Sequence, residues 1–103
     1  MKKFLFVTLV LALIFTILVP AMAEKELYIA MFPKAYIGDF WKSVEAGANK
    51  AAADYGVRIT FEGPESETDL DGQIQLIENA LIKEPDVIAI APLDSIGNIP
   101  IIE

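Results

Sequence analysis

Apolar residues along this chain fall into unbroken runs and spaced stripes, and the order in which the two alternate predicts a fold. The run from Leu27 to Phe32 is apolar on both faces and closes on Pro33, as a buried parallel strand does. Lys34 to Gly38 form a loop, and Asp39 then stands where an N-cap carboxylate would accept the free amides of a helix start. The helix it opens is predicted from Phe40 to Tyr55, because Phe40, Val44, Ala48, Ala51, Ala52 and Tyr55 recur at three- and four-residue steps along one stripe. Gly56 supplies the left-handed stop. From Val57 to Glu62 apolar and polar residues alternate, which predicts an edge strand with one wetter face.

The polar loop Gly63 to Thr68 leads to a second helix capped by Thr68 or Asp69, with Leu70, Ile74, Ile77 and Leu81 as its buried stripe and Pro85-Asp86 beyond its end. Val87 to Ala91 is wholly apolar and reads as a buried, central strand that Pro92 stops. Asp94 or Ser95 could cap a third helix, against which Gly97 and Pro100 weigh, and the chain reaches Glu103 without a completed element. The order β-α-β-α-β with short loops and right-handed crossovers gives an α/β fold, a parallel, doubly wound, Rossmann-like sheet of strand order 2-1-3. No internal repeat or low-complexity tract interrupts it.

The N-terminus follows a different logic. Lys2 and Lys3 precede an apolar run from Phe4 to Val19, followed by Pro20 and the small-residue ending Ala21-Met22-Ala23. This layout predicts a secretory signal peptide over residues 1–23, cleaved after Ala23. An uncleaved anchor is the alternative, since about 17–25 apolar residues can span a bilayer. Six of the eight basic residues and all 15 acids follow Ala23, a formal charge of −9 that argues against nucleic acid as a partner. The chain has no cysteine and no histidine, which removes disulfides, Cys or His metal sites, and His-based catalysis.

In open parallel sheets a ligand sits beyond the carboxyl ends of the strands, where strand order reverses. Three loops meet that condition: Pro33 to Asp39, Gly63 to Thr68, and Pro92 to Ser95. The first is the richest, with an ammonium at Lys34 and the aromatic pair Phe40-Trp41 at a helix start. Large rings at such a position call for a cover, and the apolar C–H face of a sugar is a suitable one. The competing reading puts Phe40 in the core stripe and packs Trp41 under the adjacent loop. Lys34 divides in the same way between ligand contact and simple solvation, and Asp94 between ligand contact and capping.

The first loop lacks the glycine pattern of a dinucleotide site, and its strand ends in Met31-Phe32 rather than the acids of a phosphate-accepting receiver domain. Glu65 and Glu67 are paired acids on a polar loop without a Ser-His or Cys-His arrangement beside them, so no catalytic constellation emerges and an enzyme is not expected. No cofactor is expected either.

The segments Asp39 to Ala48, Tyr55-Gly56-Val57, Gly72-Gln73-Ile74 and Ala91-Pro92-Leu93-Asp94 together resemble the ribose/galactose-type periplasmic sugar-binding proteins of ABC importers. The same lobe occurs in LacI-type repressors and some sensory receptors, and Phe61 to Pro64 with Glu67-Thr68 resembles the autoinducer-2-binding branch. The resemblance implies that residues 24–103 are part of the N-terminal lobe of a two-lobed protein that closes on a sugar or an autoinducer-2-like ligand and delivers it to a permease. It carries sugar stacking to Phe40 and to Trp41, and contact with sugar oxygens to Lys34. Gly38-Asp39 stands where ribose-type members have Asn-Pro, which removes an expected amide contact. Half a clamp implies weak or undetectable sugar binding by these residues alone. The alternative role is the extracytoplasmic ligand-sensing domain of a membrane receptor, anchored through residues 4–23.

Overall fold

The computed structural model describes residues 1–5 and 24–103, so residues 6–23, most of the segment read as a signal peptide, lie outside the described residues. From Tyr28 onward the chain forms β1 (Tyr28–Phe32), α1 (Asp39–Tyr55), β2 (Arg58–Phe61), α2 (Leu70–Leu81), β3 (Val87–Ile90) and a short α3 (Ile99–Ile102). The three strands make one parallel sheet in the order β2-β1-β3, as expected. Register sets Ala30 beside Thr60 on one flank and beside Ile88 on the other.

The two faces of β1 divide the molecule. Tyr28, Ala30 and Phe32 are buried against Ile77 and Ala80 of α2, with Leu76, Ile88, Ile90 and Ile101 packed around them. Strand alternation turns Ile29 and Met31 to the opposite face, where α1 lies. At the N-terminal end of the sheet Asp86 accepts the backbone N–H of Tyr28 at 2.9 Å and pairs with Lys25, while the Arg58 guanidinium stacks 3.7 Å from the Tyr28 ring centroid.

Several expectations are corrected. Asp39 is the first helical residue and not the N-cap. The cap position falls to Gly38, whose φ of 108° favours glycine, and no side chain caps that end. The stripe of α1 is also rotated. Ala48 is its buried residue, and at 3.6 residues per turn Trp41 lies within about 20° of Ala48 while Phe40 lies about 80° away. Phe40 is accordingly 69% exposed. Tyr55 is exposed because a 17-residue helix, about 25 Å long, overruns strands of four and five residues, about 13–17 Å.

In α2 the residues buried are Gln73, Ile77 and Ala80, whereas Leu70 and Ile74 are half-buried and Leu81 is exposed. The expected Asp69 cap is present, its side chain accepting the Gly72 N–H at 2.9 Å. Among the described residues β3 pairs with β1 alone and is an edge, not a central strand. The third helix begins at Ile99 behind Asn98, so neither Asp94 nor Ser95 caps it. Gly56 does end α1 in the left-handed conformation, with φ 63° and ψ 37°.

Candidate functional site

All three β-to-α loops emerge at the carboxyl end of the sheet, and two of them are zipped together. Tyr36 N–H donates to the Pro64 carbonyl at 2.7 Å, which joins the β1–α1 loop to the β2–α2 loop. Gly63 makes that approach possible. A Cβ there would lie 2.7 Å from Pro33 Cγ and 2.9 Å from the Ala35 carbonyl carbon, inside van der Waals contact.

Beneath these loops, on the α1 face, is a cavity of about 220 Å³. Its walls are apolar: Met31, Phe32 and Pro33 from the end of β1, Phe61 from β2, Ala89 to Ala91 from β3, and Trp41 and Val44 from the first turns of α1. Trp41 is half-buried over this floor, and its indole N–H donates to Glu67 Oε1 at 2.9 Å. The ring is thus tied to the second loop while its helix grows out of the first. Phe40 meets Trp41 edge to face, with centroids 4.9 Å apart and planes at 81°. Phe40 does not line the cavity. It stands beside the mouth and open to solvent.

The other predicted site residues do not line the cavity. Lys34, half-buried in the first loop, makes no hydrogen bond or ion pair among the described residues. Asp94 serves the turn after β3: its Oδ1 accepts the backbone N–H groups of Ile96 at 2.9 Å and Gly97 at 2.6 Å. Those two donors, Gly97 first, hold its carboxyl below the ordinary carboxylate range.

Three residues to which sequence reasoning gave no role in the site give it its rigidity. Gln73 is fully buried, and its amide uses every hydrogen-bonding function it has. Nε2 donates to the carbonyls of Pro33 at 3.0 Å and Ala91 at 2.9 Å, while Oε1 accepts from Leu93 N–H at 3.0 Å and Asn98 Nδ2 at 2.8 Å. One side chain therefore fixes the ends of β1 and β3 and the loop beyond them. Asn98 is 2% exposed, and its Oδ1 has no hydrogen-bond partner among the described residues. The third residue is Glu67, which the sequence marked as one of two loop acids and as part of a resemblance, without a partner or a role. For Gln73 a signal was present, because it sits four residues before Ile77 and seven before Ala80.

A profile of the family described as periplasmic binding protein domain matches residues 29–103, which takes in the sheet and all three loops. The chain belongs to this family. Its relatives include the D-ribose/D-allose-binding protein of Pseudomonas aeruginosa, 29% identical over 77 residues, an alignment covering 73% of this chain and 24% of the relative. Among solved structures, the carbohydrate transporter solute-binding protein of Agrobacterium radiobacter in complex with D-arabinose is 38% identical with a TM-score of 0.66, covering 70% of this chain and 24% of that one. The ABC transporter periplasmic solute-binding protein of Actinobacillus succinogenes 130z with bound D-allose is 28% identical with a TM-score of 0.69, covering 74% of this chain and 27% of that one. The chain thus spans about a quarter of the length of these family members.

Proposed function

We propose that this chain is part of an exported solute-binding protein of an ABC importer, that it contributes one wall of a sugar site, and that it catalyses no reaction. In this reading residues 1–23 direct export to the cell envelope, and the loaded protein hands its sugar to a membrane permease. The observation that carries it is Trp41, held by Glu67 over an apolar floor at the carboxyl end of the sheet, with Phe40 exposed beside it. A pyranose or furanose has one face of C–H groups that such rings can cover and a rim of hydroxyls that needs polar partners. Lys34 supplies a donor without a competing partner among the described residues, and Asp94 keeps Oδ2 for a hydroxyl. The sugars named for the three relatives above, D-ribose or D-allose, D-arabinose and D-allose, set the class of ligand to test first.

The test uses the fact that Trp41 is the chain's one tryptophan, so a single indole N–H signal reports the site by NMR. Titration of the chain with D-ribose, D-allose and D-arabinose is expected to move that signal with dissociation constants in the millimolar range, about −4 kcal/mol. Absence of any response at saturating sugar would refute the site. Micromolar binding would refute the half-clamp, since one wall would then suffice.

A further inference from the structure

Among the described residues, Glu67 is the one side chain of the second loop that hydrogen-bonds to the ring pair on α1. Its neighbours stabilise the loop and not the ring: Ser66 and Thr68 hydroxyls bond to each other at 2.6 Å, and Ser66 Oγ accepts the Thr68 N–H at 3.1 Å. The Glu67 side chain takes no part in these bonds, and its carboxylate is left to act on Trp41. An indole at a helix start can rotate about two side-chain torsions, and a single acceptor for its N–H selects one orientation. Because Phe40 and Trp41 meet edge to face, with centroids 4.9 Å apart and planes at 81°, fixing one ring also constrains the direction in which the other presents its face.

We infer that Glu67 is a positioning residue which sets the plane of Trp41 across the mouth of the cleft, and through it the Phe40 face. The consequence for ligand rests on the sugar reading above; the tether itself does not. Freed from Glu67, the indole samples several rotamers, and a sugar must then order it on binding.

The experiment compares the wild-type chain with E67A, E67Q and E65A. Glu65 carries the same charge two residues away, so E65A controls for charge on the loop. Without sugar, E67A is expected to shift the indole N–H signal and speed its exchange with water several-fold, whereas E67Q, which keeps an Oε1 acceptor, and E65A retain the wild-type signal. With D-ribose, E67A is expected to bind about threefold to tenfold more weakly, with E67Q restoring most of the affinity. An unchanged indole signal in E67A, or an equal change in E65A, overturns the tether. Altered indole signals combined with equal sugar affinity in E67A and wild type overturn the positioning role. If the wild type does not respond to sugar at all, the sugar reading fails, while the sugar-free comparison still decides the tether.

Discussion

Gln73 Oε1 accepts a 2.8 Å hydrogen bond from Asn98 Nδ2, and both side chains are buried, at 0% and 2% exposure. The direction of this bond is set elsewhere. Gln73 Nε2 faces the carbonyls of Pro33 and Ala91, so its oxygen must face the other way and can only accept. Asn98 must then present its amide nitrogen, which leaves its own oxygen without a partner among the described residues. One amide thus orders the ends of two strands, the loop after β3 and the cap of α3.

Gln73→Leu fills nearly the same volume but removes four hydrogen bonds and leaves Asn98 Nδ2 and three backbone groups unpaired. A loss of about 3–4 kcal/mol in unfolding free energy is expected, read from urea denaturation. Gln73→Glu separates packing from hydrogen bonding. An ionised carboxylate would face two carbonyls, and burial would push its titration upward. That variant is expected to be destabilised at neutral pH and to regain stability on mild acidification, since the folded state holds the proton more tightly than the unfolded chain. A stability that does not change with pH would show that the carboxylate has escaped to solvent.

Gly63→Ala addresses the zip between the first two loops. The added methyl would meet Pro33 Cγ, the Ala35 carbonyl carbon and Tyr36 N, the last at 3.0 Å, and two of these are backbone atoms that cannot rotate away. Separation of the loops is expected to cost about 1–3 kcal/mol and to break the Tyr36 N–H to Pro64 carbonyl bond. Amide exchange at Tyr36 checks this, and protection equal to wild type would mean that the loops accommodate a side chain.

The fold was legible in the sequence because strand runs and turn formers need no tertiary information. β1 is apolar on both faces, as a central strand with a right-handed crossover to each neighbour requires, and Gly56 and Asp69 mark helix ends by local chemistry. Which way each helix turns was less legible. Three- and four-residue steps identify a stripe, yet Phe40 and Trp41 are adjacent and both extend it, and only the cavity that Trp41 lines together with Met31 and Phe61 distinguishes the two. Gln73 was hidden for a related reason, because apolar periodicity passes over a polar residue whose partners come from 18 to 40 positions away. Asp94 was read as a helix cap, whereas its carboxylate accepts the amides of the turn after β3 and Asn98 holds the cap position of α3, a difference of loop geometry that residue type alone does not reveal.

Phe40 offers a way to separate ligand binding from stability. At 69% exposure its ring contributes little to the core, and its edge-to-face contact with Trp41 is partly in water. Phe40→Ala is expected to change unfolding free energy by less than about 1 kcal/mol. Its D-ribose affinity should fall about fivefold to tenfold, the effect of losing roughly 1 kcal/mol of apolar cover. Loss of stability with unchanged affinity would return Phe40 to a structural role.

Two carboxylates predict how the fold responds to acid. Asp86 is held below its ordinary value of 3.8 first by the Tyr28 backbone N–H and then by the Lys25 side chain, and Asp94 by the amides of Gly97 and Ile96. In both cases the folded state binds a proton less readily than the unfolded chain. Their contribution is therefore complete above the unfolded value near 3.8 and disappears as pH falls through the lower folded values. Both groups are solvent-exposed, so the effect is a modest displacement of urea midpoints. The double variant D86N/D94N retains an acceptor oxygen at each site and removes both titrations. Between pH about 5 and about 2 its midpoints are expected to fall less steeply than those of wild type, closing the gap between the two proteins as acid is added. Parallel curves over that range would mean that neither carboxylate is bound in the folded state as the Tyr28 and Gly97 amides require.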